Sequence, residues 1–320
     1  MSAQCPICLS RDSAQVSDTD RHGKPLSTLL CASCGHVYNW PIPSAEELAA
    51  FYADAYRVDY KGKARPRMRQ VIRNFDRVKT YFRTWWPVIE GRRRVLDMGA
   101  GSGEFVFFAQ ELGLEARGVE PNRSYSAYCR EALGIDVTSG GIEDVDFAPG
   151  SFDFIRLNHV LEHMADPVAS LARLASWLAE DGVLYVEVPD IVGYAATKSR
   201  GNIFHYGHIH NFSPWTLRAA AGRAGLAELD TVREARRDFA GTCFGRGRTW
   251  DVTETQNPAN AERVRQAIAA HYAASAIAPV RRKRLADKAA RRFDELRRLA
   301  SCRTPQAAGR TTVAQFSAGA

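Results

Sequence analysis

The sequence predicts an α/β fold in which helices cover both faces of a mostly parallel sheet. The alternation of apolar strands with helices supports this fold. Two further observations predict what flanks it: four cysteines in two close pairs indicate a small N-terminal module, and a concentration of basic residues indicates a helical C-terminal tail. With 320 residues the chain can bury a full core and carry an additional module. We expect a cysteine module at 1–42, a helical linker or lid at 43–90, the α/β domain at 91–250 and a basic, helical, partly disordered tail at 251–320.

The cysteine module contains the pairs Cys5-x2-Cys8 and Cys31-x2-Cys34, with 22 residues between them. Two such pairs can direct four thiolates at one tetrahedral ion, so the spacing predicts a zinc ribbon. Disulfides or a redox pair are the alternatives. Four thiolates leave no open coordination position, and we therefore expect a structural zinc ion. His36 is a spare ligand candidate.

The first helix of the linker is expected to begin after Ser44, which is a suitable N-cap residue. Its aromatic residues recur at helical spacing: Phe51, Tyr52, Tyr56 and Tyr60. They indicate either a helix packed on the core or a lid over a substrate, and the two interpretations are compatible. A longer helix, rich in arginine and aromatic residues, is predicted at 67–89.

The stretch from Arg94 to Glu120 carries the strongest functional signal. A short apolar strand ends at Asp97, a turn with three glycines follows, and a helix then leads to a second strand that ends in Glu120. This order predicts a nucleotide-binding βαβ unit. Glycines let the backbone approach a ligand, and the terminal acid can accept ribose hydroxyls. The alternative is a purely structural turn between strand and helix.

The type of ligand follows from Asp97. A pyrophosphate would be repelled by this acid, whereas a ligand with an ammonium group would tolerate it. S-adenosylmethionine (SAM) has adenine, ribose and an ammonium group and carries no phosphate. The residues 97–103, D-M-G-A-G-S-G, resemble the first motif of the class I SAM-dependent methyltransferases, D/E-x-G-x-G-x-G.

Three later segments extend this resemblance to the branch that includes the ubiquinone-biosynthesis methyltransferases: residues 140–167, 171–190 and 208–226. In all, the resemblance covers about residues 90–232. The N-terminal module and the linker after it resemble those of sugar C-methyltransferases. Those enzymes have a large further C-terminal domain, and we expect these 320 residues to be too short to include one.

The resemblance implies a Rossmann-like αβα sandwich with a seven-stranded, mostly parallel sheet. We expect strands at 94–97, 115–120, 135–138, 152–157 and 183–188, and helices at 104–112, 122–133, 166–179 and 214–224. Segments 226–232 and 242–248 are expected to form the antiparallel pair that closes the sheet. The ligand should lie at the carboxyl ends of the strands.

The same resemblance implies the cofactor-binding residues Asp97, Gly99, Ala100, Gly101, Gly103, Glu120, Pro121, Ile142, Glu143, Asn158, His159 and His163. Asp97 and the glycines are expected at the methionine end of SAM, Glu120 at the ribose and Ile142 on the adenine. Gly141 stands where many relatives have an acid. His163 is expected to order its loop by hydrogen bonding.

Three histidines are candidate catalytic residues: His208, His159 and His210. His208 matches the histidine that acts as the base in sugar C-methyltransferases, while Gly207 stands where those enzymes have a glutamate. His205 or His210 are candidates to compensate for that loss. Alternatively, the histidines of 204–212 form a polar lid.

Attack of a substrate nucleophile on the sulfonium methyl group needs positioning, and a base only for a hydroxyl or carbon acid. The sequence has no Asn-Pro-Pro-Tyr motif of the nitrogen-directed enzymes, which favours an oxygen or carbon nucleophile. We expect a small-molecule or sugar-containing, glycan-precursor substrate. The alternatives are a zinc-ribbon RNA methyltransferase and a non-catalytic zinc- and SAM-binding module.

The charge of the chain is concentrated in its tail. From Ala259 to the end there are thirteen Lys and Arg against four Asp and Glu, a net of +9, so the remainder of a chain with a total of +7 carries about −2. The tail could bind nucleic acid or another anion, but aromatic residues for base stacking are sparse. We favour a solvated helix up to Arg303, followed by disorder at 304–320.

The sequence has no apolar run of the ~18–20 residues that a membrane span needs. Its N-terminus lacks the apolar core of a secretory signal. We therefore expect a cytoplasmic protein.

Overall fold

The computed structural model of the chain describes residues 3–52, 65–198, 201–233, 238–275 and 298–318. Within them the strands are β1 (Ser13–Thr19), β2 (Pro25–Cys31), β3 (Val37–Asn39), β4 (Arg94–Met98), β5 (Glu115–Glu120), β6 (Val137–Ser139), β7 (Phe152–Asn158), β8 (Leu178–Pro189), β9 (His210–Asn211), β10 (Leu226–Arg233) and β11 (Phe239–Arg246). The α-helices are α1 (Ala45–Ala50), α2 (Met68–Ile89), α3 (Glu104–Glu111), α4 (Arg123–Tyr128), α5 (Pro167–Trp177), α6 (Ile191–Thr197), α7 (Pro214–Arg223), α8 (Pro258–Ser275) and α9 (Pro305–Ser317).

The larger sheet has seven strands in the order β10-β11-β8-β7-β4-β5-β6. Strand β5 lies parallel to both β4 and β6, whereas β11 runs antiparallel to β8 and β10. This confirms the predicted fold class, including the antiparallel closing pair. Strand β8 begins at Leu178, five residues before its predicted start at 183, because α5 already ends at Trp177.

The chain divides into two compact units. We call the described part of residues 1–45 and 157–281 the ribbon unit, and the described part of residues 46–156 and 282–320 the glycine-turn unit. None of the described helices combines the length and apolar character that a bilayer crossing requires.

In the glycine-turn unit, an aromatic core joins three helices. Helix α2 buries one face, and its Phe82 ring lies 5.0 Å from the ring of Phe105 and 4.7 Å from that of Phe108, both on α3. Phe316 of α9 adds to this cluster, with its ring 5.5 Å from that of Phe108. The expectation of disorder at 304–320 was therefore wrong over Pro305–Ser317, which form α9.

Two features of the sequence explain helix α9. Thr304 caps its N-terminus by accepting a hydrogen bond from the backbone N–H of Ala307, and proline fills its first turn. Gly309 lets the helix approach the core, since a Cβ there would lie 2.4 Å from a ring carbon of Phe107. A composition rich in small residues suggested disorder, yet here it permits close packing.

In the ribbon unit, a second sheet has the strand order β1-β2-β3-β9. Strand β9 pairs antiparallel with β3, so that His210 lies opposite Tyr38 and Asn211 opposite Val37. The ribbon strands therefore continue into a segment far along the chain, which the sequence did not predict.

Helix α8 also packs in the ribbon unit and confirms helical structure in the first part of the tail. Its Val264 and Ile268 are buried in a cluster with Leu30, Val37 and Phe204. The predictions for Tyr56 and Tyr60 and for the basic run of residues 281–284 lie outside the described residues.

We expect Phe316→Ala to destabilise the protein by about 3–5 kcal/mol, because it removes a buried ring from a well-packed aromatic cluster. Chemical denaturation measures this. Gln315→Ala is the control on the same helix, where the side chain is exposed. Equal stability of the two variants would contradict the packing of α9.

Candidate functional site

The turn after β4 forms a backbone cradle in the glycine-turn unit. Gly99, Gly101 and Gly103 all have positive φ angles, of 81°, 59° and 82°. The amides of Gly99 and Ala100 donate to the carbonyl of Val119 at 2.8 and 2.9 Å, which fastens the turn to β5. A Cβ on Gly103 would lie 2.5 Å from Ile135 Cδ1, so glycine is required there.

Glu120 closes this cradle. Its carboxylate accepts hydrogen bonds from the backbone N–H of Gly101 at 2.7 Å and from that of Asn122 at 3.1 Å, and the residue is 3% exposed. One side chain thus joins the end of β5, the glycine turn and the start of α4. A carboxylate offers about four acceptor directions, so these bonds are compatible with acceptance of ribose hydroxyls.

Asp97, at the carboxyl end of β4, is fully buried. Its Oδ1 forms an ion pair with Arg156 Nη1 at 2.7 Å, and the Arg156 guanidinium carbon lies 4.8 Å from the centre of the Phe105 ring. Burial raises the pKa of Asp97, and the nearby guanidinium opposes that shift. Asp97 Oδ2 is also buried but has no hydrogen-bond partner among the described residues. An ammonium group would satisfy such an oxygen.

These observations fit SAM as the ligand of the glycine-turn unit. The turn has three positive φ angles that glycine tolerates, Glu120 offers an acceptor that a ribose could use, and Asp97 has an unsatisfied buried oxygen. Two further predicted contacts follow β6: Ile142 is buried and Glu143 is exposed. Pro121, after Glu120, is partly exposed.

The other predicted cofactor contacts, Asn158, His159 and His163, belong to the ribbon unit. Asn158 ends β7, and its Oδ1 is buried with no hydrogen-bond partner among the described residues. Their role at the cofactor remains a prediction.

His159 lies between two buried glutamates. Its Nε2 is 3.0 Å from Glu187 Oε1 and its Nδ1 is 3.5 Å from Glu162 Oε1. Burial lowers the pKa of His159, but the two carboxylates outweigh burial and raise the pKa to about 9. The ring is therefore an imidazolium at neutral pH, a state that cannot accept a proton. Its φ of 55° is in the left-handed region, which is strained for a histidine.

His208 lies in a cluster of imidazole rings. Its ring centre is 3.9 Å from that of His205 and 4.9 Å from that of His163. Burial lowers the pKa of His208 well below its ordinary value, and the neighbouring histidines act in the same direction. The ring is therefore neutral at pH 7 and has a nitrogen lone pair.

His163 donates a hydrogen bond from Nδ1 to the carbonyl oxygen of Gly207. This bond ties its loop to the histidine segment, and the ordering role expected for His163 stays a prediction. The potential ligand atoms of Glu162, His163 and His208 all lie within 4.8 Å of one another, so this group could hold a metal ion.

His210 is 1% exposed, and both of its ring nitrogens are engaged. Nε2 lies 3.0 Å from the carbonyl oxygen of Met164 and therefore donates to it, so Nδ1 accepts from His36 Nε2 at 3.1 Å. Neither nitrogen remains available to take a proton from a substrate. Of the three predicted catalytic histidines, His159 is charged and His210 is hydrogen-bonded at both nitrogens, so the neutral ring of His208 is the candidate for a base.

The four cysteines of the ribbon come together as predicted. Their thiols are buried, and all four sulfur atoms lie within 4.8 Å of one another: Cys5, Cys8, Cys31 and Cys34. None of them is in a disulfide. Such a group can hold one tetrahedral metal ion. His36, the spare candidate, is directed at His210 instead.

Sequence reasoning did not identify several residues that shape these sites. Arg156 is a charged residue within the apolar run F-D-F-I-R-L, a signal that could have revealed the partner of Asp97. Glu187 likewise interrupts the apolar strand β8. Asn39 contacts the histidine segment across 166 to 169 positions of sequence, and no local pattern reveals such a contact.

Comparison with known proteins shows the family to which this chain belongs. The model of a family described as "Methyltransferase domain" matches residues 65–231. A ubiquinone biosynthesis O-methyltransferase of Bradyrhizobium diazoefficiens is 32% identical over 101 residues, covering 30% of this chain and 40% of that protein. An uncharacterized protein of Synechococcus is 33% identical over 114 residues, covering 33% of this chain and 27% of that protein.

The matches thus span less than half the length of these curated relatives. Among solved structures, a SAM-dependent methyltransferase of Archaeoglobus fulgidus is 21% identical, with a TM-score of 0.42, over 54% of this chain and 73% of that chain. Because the family model covers more than half of the 320 residues, the chain belongs to this family of methyltransferase domains.

Proposed function

We propose that the chain transfers a methyl group from SAM to an oxygen or carbon nucleophile of a small-molecule or sugar-containing metabolite. The observation that carries the proposal is the glycine turn closed by Glu120 beside the unsatisfied oxygen of Asp97. Family membership supports methyl transfer, and the O-methyltransferase relative favours an oxygen acceptor. SAM supplies an activated sulfonium methyl group.

The chain's own residues bind, orient and accept a proton. Glu120 would accept hydrogen bonds from the ribose hydroxyls of SAM, and Asp97 would compensate its ammonium group. We assign proton acceptance to His208, whose neutral ring can take a proton from a hydroxyl or carbon acid. His159, held as a cation by Glu162 and Glu187, contributes positive charge and no base.

We also propose that Cys5, Cys8, Cys31 and Cys34 bind one structural Zn²⁺ ion. Four buried thiols without a disulfide match a closed tetrahedral site, and such a site has no position for a substrate. The ion would hold the two cysteine pairs together, since one tetrahedral ion joins Cys5 and Cys8 to Cys31 and Cys34.

Glu120→Ala should weaken SAM binding about 10- to 100-fold, because charge-assisted hydrogen bonds contribute roughly 1.5–3 kcal/mol. Glu120→Gln, which keeps one acceptor oxygen, should lose less. Isothermal titration calorimetry measures both. Glu115→Ala is the matched control, because Glu115 begins the same strand and pairs with Arg93 at the surface. Unchanged affinity in Glu120→Ala would contradict the assignment.

His208→Ala should reduce methyl transfer about 10²- to 10⁴-fold while the SAM affinity survives, because a general base contributes to the chemical step. The assay is radiolabelled methyl transfer from SAM into fractionated cell extract, with metabolite and RNA pools kept separate. His22→Ala, an exposed histidine of the ribbon unit, is the control. Loss of SAM binding in His208→Ala would refute the role of base, and label confined to the RNA pool would overturn the proposed substrate class.

Metal analysis of the purified protein should find one zinc ion per chain. Cys34→Ser should lose the ion and lower the melting temperature, since the ribbon loses its cross-link. Cys302→Ser, which changes a buried cysteine outside the ribbon, should retain zinc. Protein that is folded, free of metal and disulfide-linked at these positions would contradict the assignment.

A further inference from the structure

The segment of residues 204–212 carries three histidines but has little regular structure of its own. Its only strand is the two-residue β9. Backbone bonds from the ribbon hold it at both ends: the N–H of Arg21 donates to the carbonyl of Phe204 at 2.8 Å, and the N–H of Asn39 donates to that of Ile209 at 2.9 Å. The conformation of this segment therefore depends on the ribbon.

Between these two points, the side chain of Asn39 binds the backbone of the segment. Its Nδ2 donates to the carbonyl oxygens of His205 at 3.2 Å and His208 at 3.1 Å, and the residue is 2% exposed. A carbonyl oxygen can only accept, so the amide nitrogen must face the segment. Thr28 Oγ1 donates to Asn39 Oδ1 at 3.1 Å and fixes the amide in this orientation.

The two carbonyls that Asn39 binds belong to one turn. The N–H of His208 donates to the carbonyl of His205 at 3.1 Å, so that oxygen accepts from the turn itself and from Asn39. The imidazole rings of these two residues are in contact, with centres 3.9 Å apart and planes tilted by 47°. From another side, His163 donates to the carbonyl of Gly207. Side chains from other elements thus bind the carbonyl oxygens of His205, Gly207 and His208.

We propose that Asn39, a residue of the ribbon, is the positioning residue that fixes the turn of residues 205–208 and thereby the ring of His208. This inference rests on the proposed role of His208 as the base. It gives the ribbon a part in the reaction: strands β2 and β3 supply Thr28 and Asn39, whose side chains hold the turn that carries His208. Asn39 itself touches no substrate.

Because the side-chain amide of Asn39 is buried, loss of its hydrogen bonds to His205 and His208 is expected to cost free energy. Removing Asn39 Nδ2 leaves the buried carbonyl oxygens of His205 and His208 with one partner fewer, and the desolvation cost of unsatisfied groups opposes that arrangement. The turn then opens towards water, and the rings of His205 and His208 move apart.

The test compares Asn39→Ala and Asn39→Asp with the wild-type full chain. Aspartate keeps the size and the acceptor for Thr28 but provides no donor. Hydrogen exchange should become about tenfold faster or more at residues 205–209 in both variants, and remain unchanged in the cysteine knuckles. Because the rings of His205 and His208 lie 3.9 Å apart, each should shift the proton signals of the other, and in both variants these signals should move towards ordinary histidine values in the NMR spectrum.

Asn260→Ala is the matched control. Asn260 is also a buried asparagine of the ribbon unit, 8% exposed, but its Nδ2 donates to the carbonyl of Cys34 at 2.8 Å. A role in stability alone predicts the same response from both positions. The proposed role predicts faster exchange at 205–209 and shifted histidine signals only for Asn39.

Functional readouts separate this inference from the proposed function. The SAM affinity of the Asn39 variants should stay within twofold of the wild type, while methyl transfer into extract falls at least tenfold. If the wild type binds no SAM, the proposed function fails, whereas the exchange data still decide the positioning role. Should Asn39→Ala fail to fold, Thr28→Val replaces it in the test. This variant keeps the two hydrogen bonds that Asn39 Nδ2 donates and removes only the bond that fixes Asn39 Oδ1. It should give a smaller acceleration of hydrogen exchange, confined to residues 205–209. Unchanged exchange there, or acceleration spread over the whole ribbon, overturns the inference.

Discussion

The carboxylate of Glu120, bound to the backbone N–H groups of Gly101 and Asn122, is the constraint on which the cofactor site depends. Three pieces of chain meet at this side chain, and the glycine turn has the positive φ angles that its glycines alone tolerate. The carboxylate that we propose as the ribose acceptor is therefore held in place by the backbone. A preorganised site binds with less loss of conformational entropy.

Electrostatics divide the histidines of the ribbon unit into two kinds. Carboxylates on both sides raise the pKa of His159 to about 9, whereas burial lowers that of His205 to about 3 and that of His208 well below its ordinary value. Groups whose pKa values are pushed apart in this way can take opposite roles in proton transfer. A cation at His159 and a neutral ring at His208 favour His208 as the proton acceptor.

The part of this protein that sequence predicted is the part encoded locally. The glycine turn, the acid at Glu120 and the cysteine pairs each follow from residues close together in the chain, and the strand pattern gave the sheet. What was missed depends on distant partners. Strand β9 is recognisable only through its pairing with β3. Helix α9 packs on the core because Gly309 lets its backbone approach Phe107. A sequence pattern also cannot tell that both nitrogens of His210 are occupied.

The central claim is that Glu120 and the glycine turn hold the adenosyl group of SAM. A crystal structure of the metal-replete protein with S-adenosylhomocysteine tests it most directly. The account predicts both ribose hydroxyls within hydrogen-bond distance of the Glu120 carboxylate, and the amino group of the ligand beside Asp97 Oδ2. A product analogue bound elsewhere, or a pyridine dinucleotide that displaces it from the turn, would contradict the account.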